Sequence, residues 1–176
     1  PTNHEKNISE LNNVNVEGTI NLAKQCEKYF IKKFIFLSSI RVHGDSTKET
    51  TKINENTKYA PKDEYAVSKV RAEQELEKIR KFSKLDIIII RPTLIYGKGL
   101  KSNLLQLIRL IKLGVPLPFK GIKNNKISLL SIENLNSFIY ECIMYKKSLN
   151  TNFVLSDDIA VSTKLLIESI SLKLNK

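Results

Sequence analysis

Apolar and polar positions along the chain follow two different periods. From Val14 to Phe30 the apolar residues fall at Val16, Ile20, Ala23, Cys26 and Tyr29 or Phe30, with Leu22 widening the stripe. A spacing of three to four residues predicts a helix buried along one face. Lys32-Lys33 then lead into Phe34-Ile35-Phe36-Leu37, a continuous apolar run closed by Ser38-Ser39, which predicts a short buried strand of a parallel sheet. Residues 40–62, with Gly44, Asp45 and Pro61, read as a polar loop. They deliver the chain into Tyr65–Lys81, where Ala66, Val70, Leu76 and Ile79 sit among charges and predict a second helix. Leu85–Ile90 is a second apolar strand. It ends at Arg91-Pro92, because proline donates no ladder hydrogen bond and a central strand carries it only at a terminus.

Two helix-then-strand units with all-apolar strands and short connections define an α/β fold whose parallel sheet is covered on both faces. The second half has another texture. Leu104–Leu113 reads as a helix, Gly114 suits its C-cap, and Val115-Pro116-Leu117-Pro118 forces an extended path. Lys126–Leu130 and Thr151–Leu155 read as short strands, Glu133–Tyr145 and Ser162–Leu174 as helices, with Ser162 as N-cap of the last. This predicts a smaller mixed lobe packed beside the sheet. The expected division is 1–98 for the sheet region and 99–176 for the lobe.

Composition narrows the class. The longest apolar run, Leu85–Ile90, is broken by Asp86 and stopped by Arg91, far short of the roughly 20 residues that a spanning helix needs. No membrane association is expected. The first residues, Pro1-Thr2-Asn3-His4-Glu5-Lys6, contain no apolar stretch of the secretory kind, so the cytoplasm is the expected compartment. Cys26 and Cys142 are too few and too far apart for a disulfide framework or a zinc site and read as buried free thiols. With 29 Lys+Arg against 18 Asp+Glu the chain carries +11. Its five arginines and many lysines are scattered, with no basic run and no interleaved aromatics, which argues against a nucleic-acid partner. No metal site is expected.

The most informative local pattern is Tyr65-Ala66-Val67-Ser68-Lys69. On a helix, positions i and i+4 share a face. A phenol with a pKa near 10 is a poor base at neutral pH, and a fixed ammonium nearby favours its phenolate. A Tyr–Lys pair can therefore exchange a proton with an alcohol, although such pairs also arise in helices by chance. The surroundings add weight. Upstream stands Phe36-Leu37-Ser38-Ser39-Ile40-Arg41-Val42-His43-Gly44, and downstream Arg91-Pro92-Thr93-Leu94-Ile95-Tyr96-Gly97.

A strand ending in Ser-Ser, a Val-x-Gly turn, a Tyr-x-x-x-Lys helix and a strand running into Arg-Pro-x-x-x-Tyr-Gly together resemble the extended short-chain dehydrogenases of the NAD-dependent epimerase/dehydratase family, which modify nucleotide sugars. Asn15-Val16-Glu17-Gly18-Thr19 is similar to the helix that precedes the family's serine strand, and Gly114–Pro118 to its nucleotide-binding segment. The resemblance implies a Rossmann-like sheet with a substrate-binding lobe. It implies that Ser39, Tyr65 and Lys69 are catalytic, and that Ser38, Tyr65, Lys69, Pro92 and Thr93 contact NAD, with NADP not distinguished. Substrate contacts would come from Ser39, Asn103, Pro116, Leu117, Pro118 and Lys126, with a UDP-sugar as ligand. The implied activity is a 4-epimerase or 4-keto-sugar reductase in surface polysaccharide synthesis, working as a homodimer.

The chain departs from the family pattern in three places. Ile127 stands where the family's diphosphate-binding arginine should fall, leaving Lys126 as the nearby cation without an arginine's bidentate fork. His43 replaces a common tyrosine. The glycine-rich turn that lets backbone approach a cofactor pyrophosphate is absent from the six glycines Gly18, Gly44, Gly97, Gly99, Gly114 and Gly121. The sequence therefore reads as the carboxy-terminal part of such an enzyme, without the adenosine half of the cofactor site. The alternative is a catalytically inactive remnant, or a nucleotide- or protein-binding module of the same fold.

Overall fold

The structure is a computed structural model and describes residues 8–47, 52–99, 103–115 and 125–175. The chain forms two compact units, Pro1–Pro92 with Ile139–Leu155, and Thr93–Phe138 with Ser156–Lys176.

The first unit opens with α1 (Ile8–Asn12), a π-turn (Asn13–Glu17) and α2 (Gly18–Lys28), running on as one helical stretch that starts earlier than the stripe from Val14 suggests. The π-turn carries an inward-facing asparagine. Asn15 is buried, and its side-chain amide donates to Ser68 Oγ at 3.0 Å. Turning an asparagine inward on a helix is stable only if its polar atoms are satisfied there. Three further elements follow: β1 (Lys33–Leu37), α3 (Glu64–Phe82) and β2 (Asp86–Pro92). Asp63 caps α3, accepting the Ala66 amide at 2.8 Å on its side chain.

The sheet is parallel, in the order β1, β2, β5 (Asn152–Leu155), with Lys33 opposite Asp86, Leu37 opposite Ile90, and Pro92 opposite Leu155. Central position explains composition: all seven residues of β2 are buried, and so its isoleucines need not alternate with polar residues. Pro92 ends the strand, as its missing N–H requires. One face of the sheet forms the core, where Ala23, Phe34, Phe36, Ala72, Leu76, Leu85, Ile87 and Ile89 cluster, with Cys26 and Ile79 packed against them. Cys142 is buried, Cys26 partly so, and both are free thiols.

Polar anchors fix the strand ends. Asp86 accepts the backbone amides of Leu149 (3.1 Å) and Asn150 (2.5 Å) and the hydroxyl of Ser148 (3.0 Å), which holds the turn entering β5. Arg80 donates to Ile87 O (2.7 Å) and Asn152 Oδ1 (3.0 Å), tying α3 to two strands. Lys33 Nζ donates to the carbonyls of Cys142 and Tyr145 at the end of α5 (Ile132–Met144), where a cation satisfies orphan acceptors.

In the second unit β3 (Leu94–Tyr96) pairs in parallel with β4 (Leu129–Ser131). α4 (Asn103–Lys112), the first part of α5, and α6 (Thr163–Lys173) complete it. Ser162 caps α6 as its sequence position predicts, accepting the Leu165 amide at 3.0 Å. The predicted strand Lys126–Leu130 is shorter and displaced, because Ile127 leaves the ladder to form a single antiparallel bridge with Val161. Asp157 accepts from Asn134 Nδ2 (2.8 Å), the Tyr96 hydroxyl (3.0 Å) and the Ser131 amide (3.1 Å), so one carboxylate holds both strands and the start of α5. A glycine is required at position 97: φ is +144° there, and a Cβ would lie 2.3 Å from Ile132 Cγ2. No helix among the described residues is long and apolar enough to cross a membrane.

Candidate active site

At the carboxyl end of β1 the chain places Leu37, Ser38, Ser39 and Arg41, and α3 or its capping residue meets three of them. Lys69 Nζ donates to Leu37 O at 2.9 Å and lies 4.6 Å from the centre of the Phe36 ring. The Ser38 hydroxyl donates to the Glu73 carboxylate. Arg41 pairs with Asp63, the cap of α3. The polar stretch after β1 begins with a 3₁₀ turn (Ile40–His43), in which Ser39 is the capping residue and its Oγ accepts the Arg41 amide at 3.2 Å. That acceptor contact leaves the serine proton to be donated. Ser39 is thus held at the mouth of the sheet, beside the first turns of the helix that carries Tyr65 and Lys69. This is the carboxyl edge of a parallel sheet, where ligands of open α/β sheets bind.

Tyr65, Lys69 and Glu73 fall at i, i+4 and i+8 on one face of α3. The Lys69 ammonium is 5.8 Å from the Tyr65 ring centre. Burial raises the Tyr65 pKa above that of an ordinary phenol; Arg41 opposes this and Asp63 reinforces it. Sequence reasoning gave Lys69 the task of lowering the tyrosine's pKa. In the structure, burial outweighs the nearby cations, and the ammonium is engaged by the Leu37 carbonyl. Burial also lowers the Lys69 pKa, and the charge of Glu73 counters it.

Below this face lies a buried ionic knot, which the sequence reading did not find. Glu73 is 0% and Arg91 2% exposed. Arg91 donates to both carboxylate oxygens, at 3.1–3.2 Å from Nε and 2.6 Å from the terminal nitrogen. Tyr59 donates to Glu73 at 2.8 Å and accepts from Arg91 at 3.1 Å. The Tyr59 pKa is pushed up to about 12 by burial and by Glu73. His43 Nε2 lies 3.2 Å from Arg91 and its Nδ1 3.2 Å from Lys58 O. Since the guanidinium only donates, Nε2 accepts and Nδ1 carries the proton, so the imidazole is neutral. The knot fastens residues 55–59, the end of β2 and Ser38 to α3. A signal was present: Glu73 continues the Tyr65–Lys69 face, and Arg91 ends an otherwise apolar strand.

His43 makes this knot sensitive to acid. Burial lowers its pKa below the 6.5 of an ordinary imidazole, so between the folded and unfolded pKa the unfolded chain binds the extra proton and stability falls as pH drops. Its contribution is complete above about pH 6.5 and is lost below it. Melts at about pH 7.5 and about pH 5.5 are expected to show the parent losing several degrees more than His43→Gln. Equal losses would remove His43 as the cause.

The remaining predicted residues are distributed as follows. Pro92 is buried at the end of β2. In the second unit the Thr93 hydroxyl is buried without a hydrogen-bond partner among the described residues; Asn103 is the first residue of α4; Lys126 is exposed beside Ile127. Pro116, Leu117 and Pro118 lie outside the described residues. No group of three or more metal-ligating side chains occurs among the described residues.

This arrangement defines a Rossmann-type α/β protein with a serine, tyrosine and lysine gathered at the carboxyl end of its parallel strands. Residues 1–149 match the family model of the NAD dependent epimerase/dehydratase family, and the chain belongs to that family. It is 43% identical over 163 residues to the UDP-glucose 4-epimerase of Vibrio cholerae, covering 93% of this chain and 50% of that protein. Two solved structures share the fold. The dTDP-glucose 4,6-dehydratase of Bacillus anthracis, in complex with NAD, superposes with a TM-score of 0.83 at 22% identity, over 98% of this chain and 56% of its own. The Bordetella bronchiseptica enzyme WbmG, in complex with NAD and UDP, gives 0.81 at 16% identity, over 99% and 54%. The chain spans about half the length of the curated relatives it matches.

Proposed function

We propose that this chain supplies the catalytic and sugar-binding part of an NAD-dependent UDP-sugar 4-epimerase or 4-ketoreductase. The observation that carries this is the end of β1, where Lys69 of the Tyr65–Lys69 face reaches Leu37 O and Ser39 follows two residues on, in a chain 43% identical to a UDP-glucose 4-epimerase.

The residues present suit the nicotinamide end of the cofactor. Lys69 has an ammonium with one hydrogen on Leu37 O and others free for ribose hydroxyls. Thr93 is assigned to the cofactor by the family resemblance. Ser38 gives its own hydroxyl to Glu73. Its amide donates to Ile90 O at 2.7 Å, which leaves Ser38 its oxygen acceptors for a cofactor. NAD held there would supply a hydride acceptor for the sugar carbon. Tyr65 takes the proton of the C4 hydroxyl, and Ser39 donates a hydrogen bond to the same oxygen. Substrate contacts are assigned to Asn103, Lys126 and Pro116–Pro118, with Lys126 giving charge but no bidentate fork to the diphosphate.

The test uses the protein at its native length, loaded with NAD and incubated with UDP-glucose and UDP-N-acetylglucosamine, with products read by proton NMR. The 4-epimer, or interconversion with the 4-keto sugar, is the expected outcome. Unchanged sugar with both donors, and no stabilisation of the protein by NAD or UDP, would contradict the proposal.

A further inference from the structure

Arg41 is the one charged side chain in the Ser38–Gly44 segment apart from the neutral His43, and the roles assigned above make no use of it. Its backbone amide donates to Ser39 Oγ at 3.2 Å. Its guanidinium is paired with Asp63 and lies 3.6 Å from Asp45 Oδ1. Asp63 is doubly committed, since its other oxygen caps α3 through the Ala66 amide at 2.8 Å. Tyr65 is the second residue of that helix. One residue thus joins the turn that holds the serine to the helix turn that holds the tyrosine.

We infer that Arg41 is a positioning residue: through its amide on Ser39 and its ion pair with the cap of α3, it fixes the serine hydroxyl and the tyrosine ring in one frame and sets a positive charge beside the phenol. The catalytic part of this inference rests on the function proposed above. The charged groups facing Tyr65 are Arg41 from the 3₁₀ turn, Asp63 at the helix cap and Lys69 on its own helix, with Glu73 behind Lys69. Arg41 favours the phenolate and Asp63 opposes it. The two members of one ion pair therefore pull the same proton in opposite directions. A merely structural role for the pair would make the loss of either partner act alike.

The experiment exploits that opposition. The native-length protein is labelled with ¹³C at the tyrosine ζ carbon, and the Tyr65 signal is assigned by its disappearance in Tyr65→Phe. Arg41→Gln is expected to raise the titration midpoint of Tyr65 by about half a pH unit or more, and Asp63→Asn to lower it. Asparagine remains a good helix cap, so the second variant keeps α3. Arg41→Lys should stay near the parent, because the charge is retained. The pH dependence of kcat should move in the same directions as the midpoints, with KM for the UDP-sugar little altered. Midpoints that shift the same way in Arg41→Gln and Asp63→Asn, or do not shift, would overturn the inference. Full turnover by Tyr65→Phe would instead defeat the proposed function, and the titration would still decide whether Arg41 governs the phenol.

Discussion

Glu73→Ala is expected to cost about 3–5 kcal/mol of stability, because it strands a guanidinium that is only 2% exposed. For a chain of this size that lowers Tm by roughly 10 °C. The cost does not measure what the ion pair adds to the fold, since taking both charges out of water offsets most of their attraction. It measures what an unpaired buried charge does. Arg91 would keep only Tyr59, His43 and the Glu55 carbonyl as neighbours, and the Ser38 and Tyr59 hydroxyls would each lose an acceptor. Glu73→Leu combined with Arg91→Leu should therefore be less damaging than the sum of the two single changes. Thermal melts of the three variants decide this. A Glu73→Ala protein within about 2 °C of the parent would show that water reaches Arg91 and replaces the carboxylate.

The second large effect concerns activity. Tyr65→Phe removes one hydroxyl and leaves the ring, so the packing of α3 against the sheet is retained. If Tyr65 moves the proton of the sugar hydroxyl, kcat should fall by about 10²–10⁴, the usual contribution of a positioned acid or base. KM and Tm should change little. Because burial holds the Tyr65 proton more firmly than in a free phenol, the parent's rate of sugar oxidation should rise with pH through the neutral range, since the phenolate is the competent base. A Tyr65→Phe protein that turns over like the parent would assign the proton to another group.

The sheet was legible because β1 and β2 hold the apolar runs Phe34–Leu37 and Ile87–Ile90, which carry no polar alternation to confuse them. The end of β2 was legible as well, since Pro92 donates no ladder hydrogen bond. The helices of the second half were legible from Gly114 and Ser162, whose cap roles depend on local geometry. What escaped was created by long-range contacts. The π-turn at Asn15 depends on Ser68, 53 residues away. The shift of β4 depends on Val161 pairing with Ile127. Glu73 and Arg91 each look like an ordinary surface charge until the fold buries them together. At the candidate site the Tyr65–Lys69 spacing was visible, while the tethers of Lys69 to Leu37 and of Arg41 to Asp63 were not. Both join residues that a 20-residue polar loop separates in sequence, and only its path back onto α3 brings them together.

Under the proposed function, hydrogen leaves C4 of a UDP-sugar and Tyr65 takes the proton. The most direct measurement is a single turnover of the NAD-loaded, native-length protein with UDP-glucose carrying deuterium at C4, comparing the parent with Tyr65→Phe. Deuterium is expected on the reduced nicotinamide trapped by rapid quench during the turnover of the parent, together with a slower turnover than with the unlabelled sugar, and neither signal is expected in Tyr65→Phe. Turnover without transfer of the C4 deuterium, or equal transfer in both proteins, would contradict it.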